Sequence, residues 1–91
     1  MSQLATGPSR AATGSITANT DSTLTLADPS SQVLISNHGA VQAYVRINGP
    51  CNASTHDMIL GVGDRAWIED VVIETVHVYM NATSGIRVVY W

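Results

Sequence analysis

The sequence contains no lysine, no phenylalanine and a single cysteine among its 91 residues. Four arginines oppose seven acidic residues, which gives a formal charge of −3. Because neutralising phosphates requires clustered cations, this balance argues against nucleic acid or an anionic membrane as the main partner. With Cys51 alone no internal disulfide can form, so stability must come from the core, from assembly, or from both.

Long apolar runs and helical periodicity are also absent. No segment approaches the roughly 20 apolar residues that a membrane helix needs. Residues 1–14 have neither the basic start nor the apolar run of a signal peptide. No window of about eleven residues keeps apolar positions at helical spacing without a Gly, a Pro or a β-branched run. We therefore expect a soluble chain, made in a cytoplasm, with almost no helix.

The N-terminal segment is poor in large apolar side chains. Residues 1–14 are mainly Ser, Thr, Ala, Gly and Pro, and such a segment buries too little surface to offset its ordering entropy. We expect a flexible N-terminal arm over 1–14 and one folded domain over 15–91. The arm is either a mobile terminus or a segment that orders against a neighbouring subunit or a larger surface. In the second case Leu4, Pro8 and Arg10 are its contact residues.

Short runs of alternating apolar residues, separated by turn formers, recur along the rest of the chain. Strands at spacings of roughly 8 to 12 residues are typical of a sandwich or small barrel. The predicted fold class is all-β: a small antiparallel β-sandwich, with jelly-roll or immunoglobulin-like topology left open. The predicted strands are a short one at Ile16, then 23–27, 33–35, 41–47, 58–60, 66–69, 71–80 and 86–91.

Turn-forming residues between consecutive strands predict three hairpins. The central one turns through Asn37-His38-Gly39. Asp28-Pro29-Ser30-Ser31 is expected to end the strand before it, because Pro29 cannot donate to a β-ladder. The hairpins pair 33–35 with 41–47, 58–60 with 66–69, and 71–80 with 86–91.

The last predicted hairpin carries more apolar side chains than one buried face needs. Neither face of 71–80 or of 86–91 is properly polar, whereas a strand buried on one side should alternate cleanly. Either the surplus face meets another protein, and repetition of the same subunit covers it, or Trp91 folds over the rim of its own core. We expect a subunit interface here. Its predicted residues are Val89, Tyr90, Trp91, His77 and Tyr79.

No group of residues has the spacing of a catalytic or metal site. His38, His56 and His77 lack the short paired spacings of zinc ligands, and the acidic residues form no Asp-x-Asp-x-Asp-Gly calcium loop. Cys51 precedes His56 by five residues, but spacing within a loop does not create the geometry of a catalytic thiol. We therefore expect no enzymatic activity, no metal and no cofactor.

The order of four segments resembles a known family. Over residues 32–91 it is similar to the small β-sandwich capsid decoration, or cement, proteins of tailed bacteriophages, and more loosely to phage tail and fibre modules. The segments are VLISNHG at 33–39, AYVRI at 43–47, LGVGD at 60–64 and IRVVY at 86–90.

The resemblance implies a structural virion protein that binds the outer surface of a phage capsid and bridges neighbouring capsomers. Its partner would be the major capsid protein, and it would form a homotrimer, with no nucleic-acid or membrane contact. Extended termini of such proteins often lie along capsid subunits, which suits the predicted arm. The alternatives are a phage tail or fibre component, or a carbohydrate-binding module that stacks sugars on Trp67, Tyr44 or Tyr79. The sequence predicts no two aromatic side chains close together on one face. Tyr90 and Trp91 are adjacent in the sequence, but they point to opposite faces.

Overall fold

The computed structural model describes residues 9–83 and 85–91, and within these ranges it contains strands and no helix. All the paired strands are antiparallel and form one continuous sheet in the order β1-β6-β2-β5-β3-β4. The predicted all-β antiparallel class is confirmed, while the division into two sandwich sheets stays a prediction. The strands are β1 Arg10–Ala11, β2 Ser22–Asn37, β3 Ala43–Ile47, β4 Met58–Leu60, β5 Arg65–Met80 and β6 Ile86–Tyr90.

The two long strands, β2 and β5, pair with each other and divide the sheet into two halves. The end of β2 pairs with the start of β5 and also with β6, which in turn carries β1; we call this the tryptophan half. The start of β2 pairs with the end of β5, which also carries β3 and then β4; we call this the tyrosine half. Each long strand therefore belongs to both halves.

The pairing of β2 with β5 changes register between residues 25 and 30 and again between 30 and 32. Unpaired residues in a strand shift its alternation and bend it, and they accommodate Pro29, which has no amide proton for the ladder. The predicted strand end at this proline is therefore wrong, and so is the predicted division at residue 70, because β5 is continuous. Buried positions on β2 accordingly change from even to odd numbers: Leu24 and Leu26, then Val33 and Ile35.

Side chains from both halves of the sheet form one hydrophobic core. Burying each large aliphatic side chain contributes about 1.5–3 kcal/mol, so this cluster is the main stabilising element. Ile16, where a strand was expected, lies outside the strands and packs against the cluster. The core consists of Leu24, Leu26, Val33, Ile35, Ala43, Val45, Leu60, Ile73, Val76, Val78, Met80, Val88 and Tyr90.

Tyr90 belongs to this core and not to a subunit interface, which corrects the prediction. Only 1% of the residue is exposed. Its hydroxyl oxygen accepts a hydrogen bond from the Ala27 amide at 2.8 Å, and the Arg10 guanidinium lies 4.8 Å from its ring centre. The ring is buried and its polar atom is satisfied within the subunit, so no surface is left for a partner.

The three predicted hairpins are wrong, although most of the predicted strands exist. The segment 33–35 pairs with β5 and β6, β4 pairs with β3, and β6 pairs with β1 and β2. Turn formers show where the chain can reverse, but strand partners are set by which apolar faces must cover a shared core. Only β3 and β4 pair as neighbours in sequence, across the loop 48–57.

Asn37 explains why the central segment is not a hairpin turn. Its buried side-chain amide donates to the carbonyl oxygens of Val41 at 2.9 Å and Leu60 at 3.0 Å. Its side-chain oxygen accepts from the Gly39 amide at 2.9 Å. The end of β2, the following loop and the end of β4 are thereby joined through one side chain.

The described part of the predicted arm is hydrogen-bonded to the sheet. Arg10 and Ala11 form β1 on β6, and Thr13 pairs with Thr25 of β2 through two backbone hydrogen bonds. Leu4 and Pro8 lie outside the described residues. A deletion that tests the arm should therefore stop before Ser9, because a longer one would remove part of the sheet.

Replacing Asn37 by Asp should lower the free energy of unfolding by about 3 kcal/mol or more. The carboxylate loses both amide donors and faces two buried carbonyl oxygens, each of which costs about 1–3 kcal/mol without a partner. The matched control is Asn52→Asp, because Asn52 uses its side-chain oxygen to accept from Ser54 and Thr55 and an aspartate can do the same. Urea unfolding measures both; equal stability of the two variants would contradict the role given to Asn37.

Candidate functional site

The four arginines differ in their electrostatic surroundings. Arg10 and Arg46 each lie beside an aspartate, at 2.7 and 4.0 Å. Arg65 and Arg87 are exposed and form no ion pair with any residue whose side chain the structure describes. The chain carries a net charge of −3, and among the arginines these two have no carboxylate partner in its described part.

Arg65 and Arg87 flank one residue of β2. Ser36 is the register partner of Arg65 on β5 and of Arg87 on β6. Directly opposed residues point to the same face, and neighbouring strands are about 4.8 Å apart, so the two Cα atoms lie roughly 10 Å from each other. The His38 ring is held alongside, with its Nε2 atom 3.1 Å from the Ser36 hydroxyl. This cluster was not predicted from the sequence, because the arginines are scattered along the chain.

An apolar row runs parallel to these cations on the same face. Leu34 lies two residues before Ser36, and its register partners are Trp67 on β5 and Val89 on β6. The Trp67 ring lies 5.4 Å from that of Trp91, and 36% of Trp67 is exposed. The outer surface of the tryptophan half therefore joins an aromatic and aliphatic strip to a cationic strip.

The two strips line an open groove of about 330 Å³, which we call the arginine groove. Ser9 lies at its edge, so the N-terminal segment joins the folded chain beside it. Its lining residues are Ser9, Leu34, Ser36, His38, Arg65, Arg87, Val89 and Trp91.

The residues predicted for a single subunit interface are divided by the fold. Val89 and Trp91 line the arginine groove. His77 and Tyr79 lie on β5 in the tyrosine half, opposite residues of β3. The Nδ1 atom of His77 is 3.0 Å from the Asp21 carboxylate. The structure therefore does not bring the four side chains into one surface patch.

A second, partly exposed row lies on the tyrosine half. Tyr44 of β3 is the register partner of Tyr79 on β5 and of Ile59 on the edge strand β4. The two tyrosine rings are 6.3 Å apart, His56 lies 4.8 Å from Tyr44, and Ile59 is 50% exposed. The expectation that aromatics would not meet on a face is therefore wrong, because it depended on the wrong strand pairing.

Neither a reactive thiol nor a metal site is formed by the described residues. Cys51 is buried, and burial, with the Asp21 charge as a further cause, raises the pKa of its thiol to about 11. In the described part of the chain, no group of three or more His, Cys, Asp or Glu is placed to hold a metal ion. No helix there is long and apolar enough to cross a membrane.

Searches with family models, among curated proteins and among solved structures find no match to this chain. The function proposed for it therefore rests on the exposed surfaces of the fold and on the resemblance carried by its sequence.

Cys51 should react slowly with a thiol reagent such as DTNB while the protein is folded. At pH 8 a thiol with a pKa of about 11 is about one-thousandth ionised, and burial also shields the sulfur. Unfolding in guanidinium exposes the same thiol and serves as the control, with fast stoichiometric labelling. Rapid labelling of the native protein at pH 8 would contradict the burial and the raised pKa of Cys51.

Proposed function

We propose that this chain is a structural virion protein that binds the outer surface of a phage capsid and bridges neighbouring capsomers. The observation that carries the proposal is the outer face of the tryptophan half, where Trp67 and Trp91 lie beside the arginine groove. Ser9 lines the same groove, and residues 1–8 of the arm are joined to the chain at this residue. The arm and the face can therefore engage one partner surface together.

The composition of this face suits docking to a protein. Tryptophan and arginine are the residues most enriched among those that dominate binding energy at interfaces. Leu34 and Val89 extend the aromatic strip with aliphatic surface, and a contiguous apolar patch on a small domain marks an interaction site. The major capsid protein is the partner we propose for it.

The tyrosine half offers a separate surface for contacts between copies. Its row of Ile59, Tyr44 and Tyr79 ends on β4, an edge of the sheet. In the proposed homotrimer this row, with His77, packs against the neighbouring copy, while Val89 and Trp91 face the capsid. A threefold ring suits this division, because a head-to-tail interface closes when the rotation between copies is one third of a turn.

A carbohydrate-binding module, or a tail or fibre component, is the second candidate. The observation that favours sugar binding is the presence of two partly exposed aromatic pairs, Trp67 with Trp91 and Tyr44 with Tyr79. Aromatic faces stack on sugar rings. Saturable binding on a glycan array that is lost in Trp67→Ala would favour this candidate over capsid attachment.

Trp67→Ala should weaken attachment to particles that lack this chain by about tenfold or more. Truncating a tryptophan at the centre of an interface costs about 2 kcal/mol or more. Val72→Ala is the control, since Val72 is an exposed apolar residue of β5 that belongs neither to the arginine groove nor to the row proposed for contacts between copies. Binding isotherms on purified particles measure both. A wild-type affinity for Trp67→Ala would contradict the assignment of this face to the capsid.

Deletion of residues 2–8 should also weaken attachment and leave the thermal unfolding midpoint unchanged. The deletion removes Leu4 and Pro8 but keeps β1 and the Arg10 to Asp28 ion pair. Co-sedimentation with particles, beside a thermal melt of the free protein, tests the prediction. Unchanged attachment would refute a role for the arm.

A further inference from the structure

We infer that the arginine groove binds a carboxylate-bearing segment of a protein partner, with an acidic side chain between Arg65 and Arg87 and an apolar neighbour against Leu34, Val89 and Trp91. This inference rests on the proposed function, because it names the chemistry by which the groove face would recognise the capsid surface.

The groove is positively charged and attracts an anion. Arg10 and Arg46 lie beside aspartates, but Arg65 and Arg87 have no carboxylate within the described residues and converge from two strands on Ser36. A guanidinium can hold a carboxylate through two parallel hydrogen bonds, which gives direction as well as energy. An acidic side chain above Ser36 would lie within reach of both arginines.

The groove is small and apolar along one side. Its volume of about 330 Å³ is at the small end for ligand sites, and it suits a few side chains better than a whole folded element. Leu34, Val89 and Trp91 line one side, next to the cationic strip. A fitting segment therefore carries an aliphatic residue directly beside an Asp or Glu.

The same features disfavour other anions. A polyanion such as a nucleic acid would meet two unpaired arginines in the described part of a chain whose net charge is −3, so its remaining phosphates would be repelled. An acidic sugar would stack on an aromatic ring, but only one of the lining residues of the groove, Trp91, is a Trp or Tyr. Branched aliphatic side chains such as Leu34 and Val89 instead match an aliphatic peptide side chain.

The first experiment is an NMR titration of the full chain with a capped Leu-Glu-Val tripeptide. We expect saturable shifts at the amides of Ser36, His38, Arg65 and Arg87, with affinity at least about fivefold weaker for capped Leu-Gln-Val. Arg65→Gln and Arg87→Gln should each weaken binding, while Arg46→Gln, which removes an arginine outside the groove, should not. Equal affinity for the two tripeptides, or wild-type binding by the groove variants, would overturn the inference.

Methyl glucuronide and inorganic phosphate serve as competing probes in the same titration. Groove shifts caused by either of these probes, with none caused by Leu-Glu-Val, would also overturn the inference, because the groove would then recognise a sugar acid or a free anion. Displacement of Leu-Glu-Val only at high salt, with no specific effect of either probe, supports it.

The second experiment tests the groove's role in attachment separately from the proposed capsid role. Attachment to particles is measured for wild type, for the Arg65→Gln/Arg87→Gln double variant and for Arg46→Gln. A loss of about tenfold or more in the double variant alone supports the inference. Wild-type attachment by the double variant would overturn the inference and leave the capsid role standing. Failure of wild type itself to attach would overturn the proposed function, and the tripeptide titration would then decide the chemistry of the groove alone.

Discussion

The antiparallel pairing of β2 with β5 at the centre of the sheet determines where all the remaining strands lie. The two strands are 16 residues long, and each pairs with a further strand along its last residues, β2 with β6 and β5 with β3. Around Pro29 the inward positions of β2 change from even to odd, and both ends of the strand still bury apolar side chains in one core. The tryptophan and tyrosine halves, and with them the two exposed rows, follow from this pairing.

Much of the secondary structure could be predicted from local patterns, but the partners of the strands could not. Alternation at 43–47 and 86–90 indicated strands that the structure contains. Asn37-His38-Gly39 has the composition of a turn, but the buried Asn37 amide joins β2 to the end of β4. Pairing is a long-range property, decided by which faces cover a shared core, and no local signal reports it.

The residues of the candidate site could likewise be predicted only in part from local sequence patterns. Trp91 and Val89 were predicted as exposed contact residues because their strands carry too many apolar side chains, and both line the groove. Tyr90, between them, was assigned to the same surface although alternation turns it inward to the core. Arg65 and Arg87 lie 22 positions apart in the sequence, and only their common register with Ser36 makes them neighbours.

The most direct test of the proposed function is the copy number of this protein in purified particles from its natural source, measured by quantitative mass spectrometry against the major shell protein. If the chain decorates the capsid according to its symmetry, we expect about one copy of the chain per copy of the major shell protein, or a simple fraction of that ratio. A few copies per particle would place the chain in a tail, portal or fibre, and its absence from particles would contradict a virion role altogether.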